Sequence, residues 1–223
     1  MYRLTAIVSI FLLGALVAPA AHAVGITTYG VGLKSCKSYL DARQDDNAGA
    51  VAFVDWLSGY FSAVNKTSHH RNNFFGLADL TGAMIRLDEY CSARPRAPFA
   101  EAVGILLFGA KPGPAAHSIE ATSYGSADKS CDVYLDSRKQ RDDIYREASA
   151  EFTNWLGGYL SGVNAMSLET NDVLGTIELS DAVSWLERYC GAHSVASFGN
   201  AVDALVLSQQ GRYASQPNAA ASR

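Results

Sequence analysis

Charge is scarce in this 223-residue chain: Asp, Glu, Lys and Arg make up 18% of it, against roughly 25% in soluble domains. Its 18 Lys and Arg and 22 Asp and Glu give a formal net charge of -4 with no basic run. That argues against a general nucleic-acid surface, which needs a basic excess or stripe. There is no HExxH, GxSxG, P-loop or Gly-rich dinucleotide loop, so the metallopeptidase, hydrolase and nucleotide-binding motifs are all missing. CxxC spacing is absent too, since the cysteines continue as Cys36-Lys-Ser and Cys131-Asp-Val with no histidine recurring nearby, which disfavours a structural metal. No cofactor is implied. Beyond the first 23 residues no apolar run approaches the roughly 18 residues a spanning helix needs, and no long alternating run suggests a strand.

The first 23 residues read as a secretory signal. Arg3 supplies the positive start, 7–17 the apolar stretch, and Ala21-His22-Ala23 the small-x-small cleavage site. The mature chain is expected to begin near Val24, to carry a net charge of -5 once Arg3 is gone, to keep no membrane anchor and to reside in the periplasm.

What is abundant is repetition. Tyr29-Gly-Val-Gly-Leu-Lys-Ser-Cys36 returns as Tyr124-Gly-Ser-Ala-Asp-Lys-Ser-Cys131, and Trp56-Leu-Ser-Gly-Tyr-Phe-Ser-Ala-Val-Asn65 as Trp155-Leu-Gly-Gly-Tyr-Leu-Ser-Gly-Val-Asn164. Leu87-Asp-Glu-Tyr-Cys91 matches Leu186-Glu-Arg-Tyr-Cys190. The offset is 95 residues up to the first cysteine and 99 from the tryptophan onward. The expected organisation is a repeat over 24–109, a linker rich in Pro and Gly over 110–123, a second repeat over 124–208, and a disordered polar tail over 209–223. Four cysteines in equivalent places of an exported chain read as disulfides. Because each copy should be self-sufficient, the pairing expected is Cys36 with Cys91 and Cys131 with Cys190.

Helical spacing dominates each copy. Ala50, Phe53, Leu57, Tyr60, Phe61 and Val64 recur at three- and four-residue steps and are answered by Ser149, Phe152, Leu156, Tyr159, Leu160 and Val163. Asn65 and Asn164 follow the last apolar residue, where asparagine can end a helix. A shorter helix should open at Ser35 or Ser130, another at Thr81 or Ser180 as N-cap, and a last one should run over 99–108 or 198–207. The fold class is therefore all-α, two tandem four-helix domains each stapled by one disulfide.

An active site is hard to find. Adjacent His69 and His70 lie in the first copy's middle loop only, His117 in the linker, and His193 after Cys190. Ser126 and Lys129 match the SxxK pattern of penicillin-binding enzymes, yet Val31 replaces the serine in the first copy and no KTG follows. The acidic set Asp142, Asp143, Glu147 and Glu151 is the remaining candidate for carboxylate chemistry. Polar residues kept in both copies, such as Arg43/Arg138, Ser62/Ser161 and Asp88/Glu187, read as caps and solvated helix faces. Small residues three apart, Gly59 with Ser62 and Gly158 with Ser161, read as close helix packing. Arg86 stands where the second copy has Trp185, a divergence suited to an interface anchor.

A helix-opening Ser-Cys, then WLxGY(F/L)S(A/G)VN on a second helix, then a cysteine closing a third helix resembles the periplasmic immunity proteins of the Rap/Tai type. That resemblance implies a non-enzymatic helical protein that blocks a peptidoglycan amidase toxin delivered by type VI secretion, its tandem form acting as a covalent pseudo-dimer. The implied partner is a protein; because it is not repeated between the copies, the loop over 66–75 is the expected inhibitory element, with 166–174 as its second-copy equivalent. The candidate partner-binding residues are His69, His70, Arg71, Phe74, Arg86 and Trp185. The same layout is similar to the Hde-type acid-stress chaperones, which is the alternative function.

Overall fold

The computed structural model describes residues 25–45, 48–68, 80–109, 122–139, 143–168 and 170–215. The segment read as a signal and most of the linker lie outside the described residues.

Each copy opens with a single 3-10 turn, Gly30–Leu33 or Gly125–Asp128, whose first glycine takes φ of 62° or 65°. Only glycine enters that left-handed region without strain, which accounts for the recurrent Tyr-Gly. Four helices follow in each copy: α1 (Cys36–Gln44), α2 (Ala48–Thr67), α3 (Leu80–Ala93) and α4 (Phe99–Gly109), then α5 (Cys131–Lys139), α6 (Asp143–Met166), α7 (Leu179–Ala192) and α8 (Phe198–Ser215). The protein is all-helical among the described residues. Ser35 caps α1 by accepting the Ser38 amide at 3.2 Å. Cys36 bonds Cys91 and Cys131 bonds Cys190, tying the start of each first helix to the end of each third. The last turn before the fourth helix pairs with the entry to the first, Phe99 N–H to Lys34 C=O at 2.8 Å and Phe198 N–H to Lys129 C=O at 2.7 Å. These disulfides indicate an oxidising, extracellular or periplasmic environment, and no described helix is long and apolar enough to cross a membrane.

Two cores form, one per copy, around matching aromatic clusters. Phe53 meets Phe99 edge-on at 4.8 Å and Phe152 meets Phe198 at 4.8 Å, with Tyr39 or Tyr134 and Trp56 or Trp155 closing each group. The cores are interlocked. Ala63 and Tyr29 join the second, and Tyr124, Ala165 and Met166 join the first.

The interlock runs along α2 and α6, which make the most extensive helix contact. They lie side by side in the same direction, since Val51 and Ala52 share a cleft with Glu147 and Glu151 while Tyr60 and Ala63 meet Gly162 further along. A Cβ at Gly59 would overlap the Trp155 carbonyl, and one at Gly158 the Trp56 carbonyl. The small residues therefore let two backbones touch, as their spacing suggests. Because each long helix is covered by its own repeat on one side and by its twin on the other, residues 56 to 65 are buried all round, beyond the single stripe of an amphipathic helix.

Three expectations are corrected. Asn65 and Asn164 do not end their helices, which run on to Thr67 and Met166; both are buried, at 1% and 0% exposure. Neither Thr81 nor Ser180 is an N-cap: Thr81 is the second residue of α3, and the N-cap of α7 is Glu178. Its side chain accepts the Asp181 amide while Asp181 accepts the Glu178 amide, a reciprocal capping box. α8 continues to Ser215, so the first residues of the expected tail are helical and Gln209 is buried.

Candidate interaction site

The residues expected to cap or to face solvent instead form two matching latches across the seam between the copies. Tyr29 N–H donates to Ser161 Oγ and Tyr124 N–H to Ser62 Oγ, both at 2.9 Å. Each serine hydroxyl in turn donates to the carbonyl four residues back, Gly157 or Ser58. Asn164 Nδ2 donates to Thr27 C=O at 2.9 Å and Asn65 Nδ2 to Thr122 C=O at 2.8 Å. The tryptophan indoles stay within their own copies, Trp56 Nε1 to Tyr29 C=O and Trp155 Nε1 to Tyr124 C=O. Each lead-in segment is thus held by its own tryptophan and by the other copy's serine and asparagine. Arg43 with Asp88 and Arg138 with Glu187 are a second recurring pair, bridging the first and third helices at 2.9 and 2.8 Å.

Flanking the seam are two equivalent grooves, built alike and now chemically different. One, of about 610 Å³, is lined by Ser62, Lys66, Ser123, Tyr159, Asn200 and Asp203 among others. Lys66 on α2 forms an ion pair with Asp203 on α8, and Tyr159 donates its hydroxyl to the same carboxylate. Burial first, and then the Asp203 carboxylate, push the Tyr159 phenol well above its ordinary range. The other groove, of about 380 Å³, carries the counterparts Ser161, Ala165, Thr28, Tyr60, Glu101 and Gly104, with Ile26 and Ile105 beside them. Ala165 and Gly104 replace Lys66 and Asp203, so this side has no counterpart of that ion pair, and the copies meet here through the Ser161 and Asn164 latches. Tyr60 is only 3% exposed, and burial pushes its phenol up to about 12, which keeps it a hydrogen-bond donor.

At the other end of the seam sits an unlike pair at equivalent positions, Asp55 beside Asn154, in a small cleft with Glu147 and Glu151. Desolvation first, then repulsion from Glu151, push the Asp55 carboxyl up to about 7, against the hydrogen bond from Asn154 and the charge of Lys129. Next to it Ser126 donates to Glu151 Oε1 at 2.7 Å, and Lys129 Nζ lies 2.6 Å from both carboxylate oxygens. The SxxK residues are therefore brought together, but around a carboxylate. Ser126 is 1% exposed and its proton is directed at Glu151, so it is not presented as a nucleophile. Ala52 stands where Glu151 would fall in the first copy, which is why the cluster has no twin. Of the acidic set, Asp142 lies outside the described residues. No group of three metal-ligating side chains occurs among the described residues.

The sequence-derived partner residues divide. His69, His70, Arg71 and Phe74 lie outside the described residues. Arg86 is exposed on α3. Trp185, at the equivalent place on α7, is half-buried and stacks on Tyr189 at 5.2 Å, which stacks on His193 at 4.2 Å. Each belongs to its own repeat's outer face, so sequence equivalence does not make them one site. The second-copy loop is anchored: Val173 and Leu174 are buried, Asn171 C=O accepts the Thr27 amide at 2.8 Å, and Tyr29 donates to Asp172. Leu168 projects fully from it.

Sequence inspection missed the grooves and the Asp55 cleft. Their signal was present in the aligned differences Lys66/Ala165, Gly104/Asp203 and Asp55/Asn154, each embedded in conserved spacing between the copies. Comparison with family models, with curated proteins and with solved structures returns no match.

Proposed function

We propose that this chain is an exported, non-enzymatic binding protein that blocks a secreted peptidoglycan-degrading toxin, with an amidase as the partner its sequence resemblance suggests. The observation that carries the reading is the pair of equivalent grooves, one bridged by Lys66 and Asp203 and the other apolar and unbridged. A scaffold that keeps its stapled cores and seam latches in duplicate while altering one groove is built to meet an asymmetric partner. Rigid, preorganised surfaces of this kind lose little entropy on association.

The acid-chaperone alternative asks the seam to open on acidification. Asp55 acts in the opposite sense: with its carboxyl pushed up to about 7, protonation strengthens the folded seam as pH falls toward the ordinary carboxylate range. The test is to purify the mature, oxidised protein with the peptidoglycan amidases encoded beside its gene and to measure complex formation and peptidoglycan hydrolysis. A stable complex with suppressed hydrolysis is expected. The absence of both complex and protection would refute the toxin reading.

A further inference from the structure

The two grooves are an internal comparison, the same scaffold with and without its polar filling. In the bridged groove the Tyr159 hydroxyl donates a hydrogen bond to Asp203, whose charge is balanced by Lys66. In the unbridged one Tyr60 holds the equivalent position, buried to 3% exposure, with Gly104 where the carboxylate would be and no acceptor for its hydroxyl among the described residues. Its hydroxyl opens onto the groove it lines. A hydroxyl that meets only the groove can exchange solvent for an incoming oxygen without breaking a bond within the protein.

The surroundings say which kind of oxygen. No cation lines this groove, since Lys66 is answered by Ala165, while Glu101 stands on its rim. A carboxylate would therefore meet repulsion, whereas a neutral carbonyl would not. Ile26 and Ile105 flank the groove at 52% and 46% exposure, an apolar lip that their surroundings leave uncovered. The cavity of about 380 Å³ falls within the range of small binding pockets, about 300–1,000 Å³.

We infer that the groove at Tyr60 docks a loop of a partner protein, one that places an aliphatic side chain against Ile26 and Ile105, gives a backbone carbonyl to the Tyr60 hydroxyl, and sets a Lys or Arg beside Glu101. This rests on the reading of the chain as a binding protein and names the face that does the binding. The equivalent groove differs in that its tyrosine hydroxyl is already engaged by Asp203.

The test is an amide-correlation NMR titration of the mature, disulfide-bonded chain with the capped peptide acetyl-Gly-Leu-Arg-Gly-amide, and with its Glu counterpart in place of Arg. Saturating shifts centred on Tyr60, Gly104 and Ile105, with a millimolar dissociation constant for the Arg peptide and binding at least about fivefold weaker for the Glu peptide, are expected. Tyr60→Phe should weaken binding roughly 2- to 10-fold, the loss of one hydrogen bond. Gly104→Asp restores the carboxylate facing Tyr60 and should abolish binding; a Cβ there meets nothing within 4 Å, so the variant has room to fold. Equal affinity for the two peptides, shifts centred on the Asp203 groove, shifts that depend on protein concentration alone, or none at all would overturn the proposal. An amidase complex that survives Gly104→Asp would overturn the docking site and leave the toxin reading standing. Peptide binding without any amidase complex would do the reverse.

Discussion

Replacing Asp55 by Asn should stabilise the protein at alkaline pH and do almost nothing in acid. In the folded state its carboxyl is pushed up to about 7, mainly by desolvation and then by Glu151, against about 3.9 in an unfolded chain. Below about pH 4 the group is protonated in both states and contributes no pH dependence. Between about 4 and 7 only the folded state holds the proton, so stability falls as pH rises, and above 7 the loss is complete. Three pH units correspond to about 4 kcal/mol, an upper bound that the half-exposed position and solvent screening reduce to about 1–3 kcal/mol. Asn154 can still hydrogen-bond an asparagine at 55, so the variant removes the charge and little else. At 2–4 °C per kcal/mol for a chain of this size, Asp55→Asn should raise Tm at pH 8.5 by about 2–12 °C and leave it unchanged within about 1 °C at pH 4. Circular dichroism melts on the oxidised protein across that range provide the measurement. The companion Asn154→Asp adds a second carboxylate and should lower Tm at pH 8.5, with the loss fading on acidification. A shift in Tm of the same size at both pH values, or a loss at pH 8.5 for Asp55→Asn, would refute the reasoning.

Gly158→Ala should lower stability by about 3 kcal/mol or more, the upper end of overpacking, because its methyl meets the Trp56 carbonyl; urea titration followed by tryptophan fluorescence reads it. Gly191→Ala, at a helical glycine with open space around it, is the control and should be neutral or mildly stabilising. Tyr134→Phe should leave stability unchanged or raise it by about 1 kcal/mol, since the Tyr134 hydroxyl is buried without a hydrogen-bond partner; a clear loss in the same urea titration would contradict that. Asn164→Ala removes a donor to Thr27 C=O and an acceptor of the Val173 amide and should cost about 2–4 kcal/mol by stranding both backbone groups, with faster amide exchange at Val173 as the local signature.

Local pattern and repetition made the architecture legible. The three- and four-residue steps from Phe53 to Val64 identify α2, the duplication pairs the cysteines, and Gly59 and Gly158 announce a close helix contact. What local pattern could not distinguish was a polar residue that ends a helix from one that reaches across a fold. Asn65 and Asn164 follow an apolar run, as helix-ending residues do, and their partners Thr122 and Thr27 lie in the other copy. Gln209 and Gln210 look like the start of a polar tail, yet Gln209 is 3% exposed because α8 is long enough to keep it against the body. The grooves were hidden for a related reason. Each draws on two copies, so neither copy read alone contains one, and only the aligned differences at 66/165 and 104/203 register them.

The placement of Asp55 opposite Asn154 explains what a fused chain gains over two identical ones. In a symmetric dimer with this seam, residues abreast on the twin helices would be identical, giving either two carboxylates repelling at close range or two amides. Covalent fusion frees the positions to differ, and the difference found is a half-buried carboxyl hydrogen-bonded by an amide. The same freedom operates at the grooves, where a symmetric dimer would have to keep two Lys-Asp bridges or none. Here Lys66 and Asp203 cross the seam on one side while Ala165 and Gly104 leave the other open. The residues that hold the copies together, Ser62 with Ser161 and Asn65 with Asn164, remain identical, because each latches the same backbone atoms of the opposite lead-in segment. Identity thus persists where the contact is to backbone, which is the same in both copies, and difference has accumulated where side chains face each other or an outside partner.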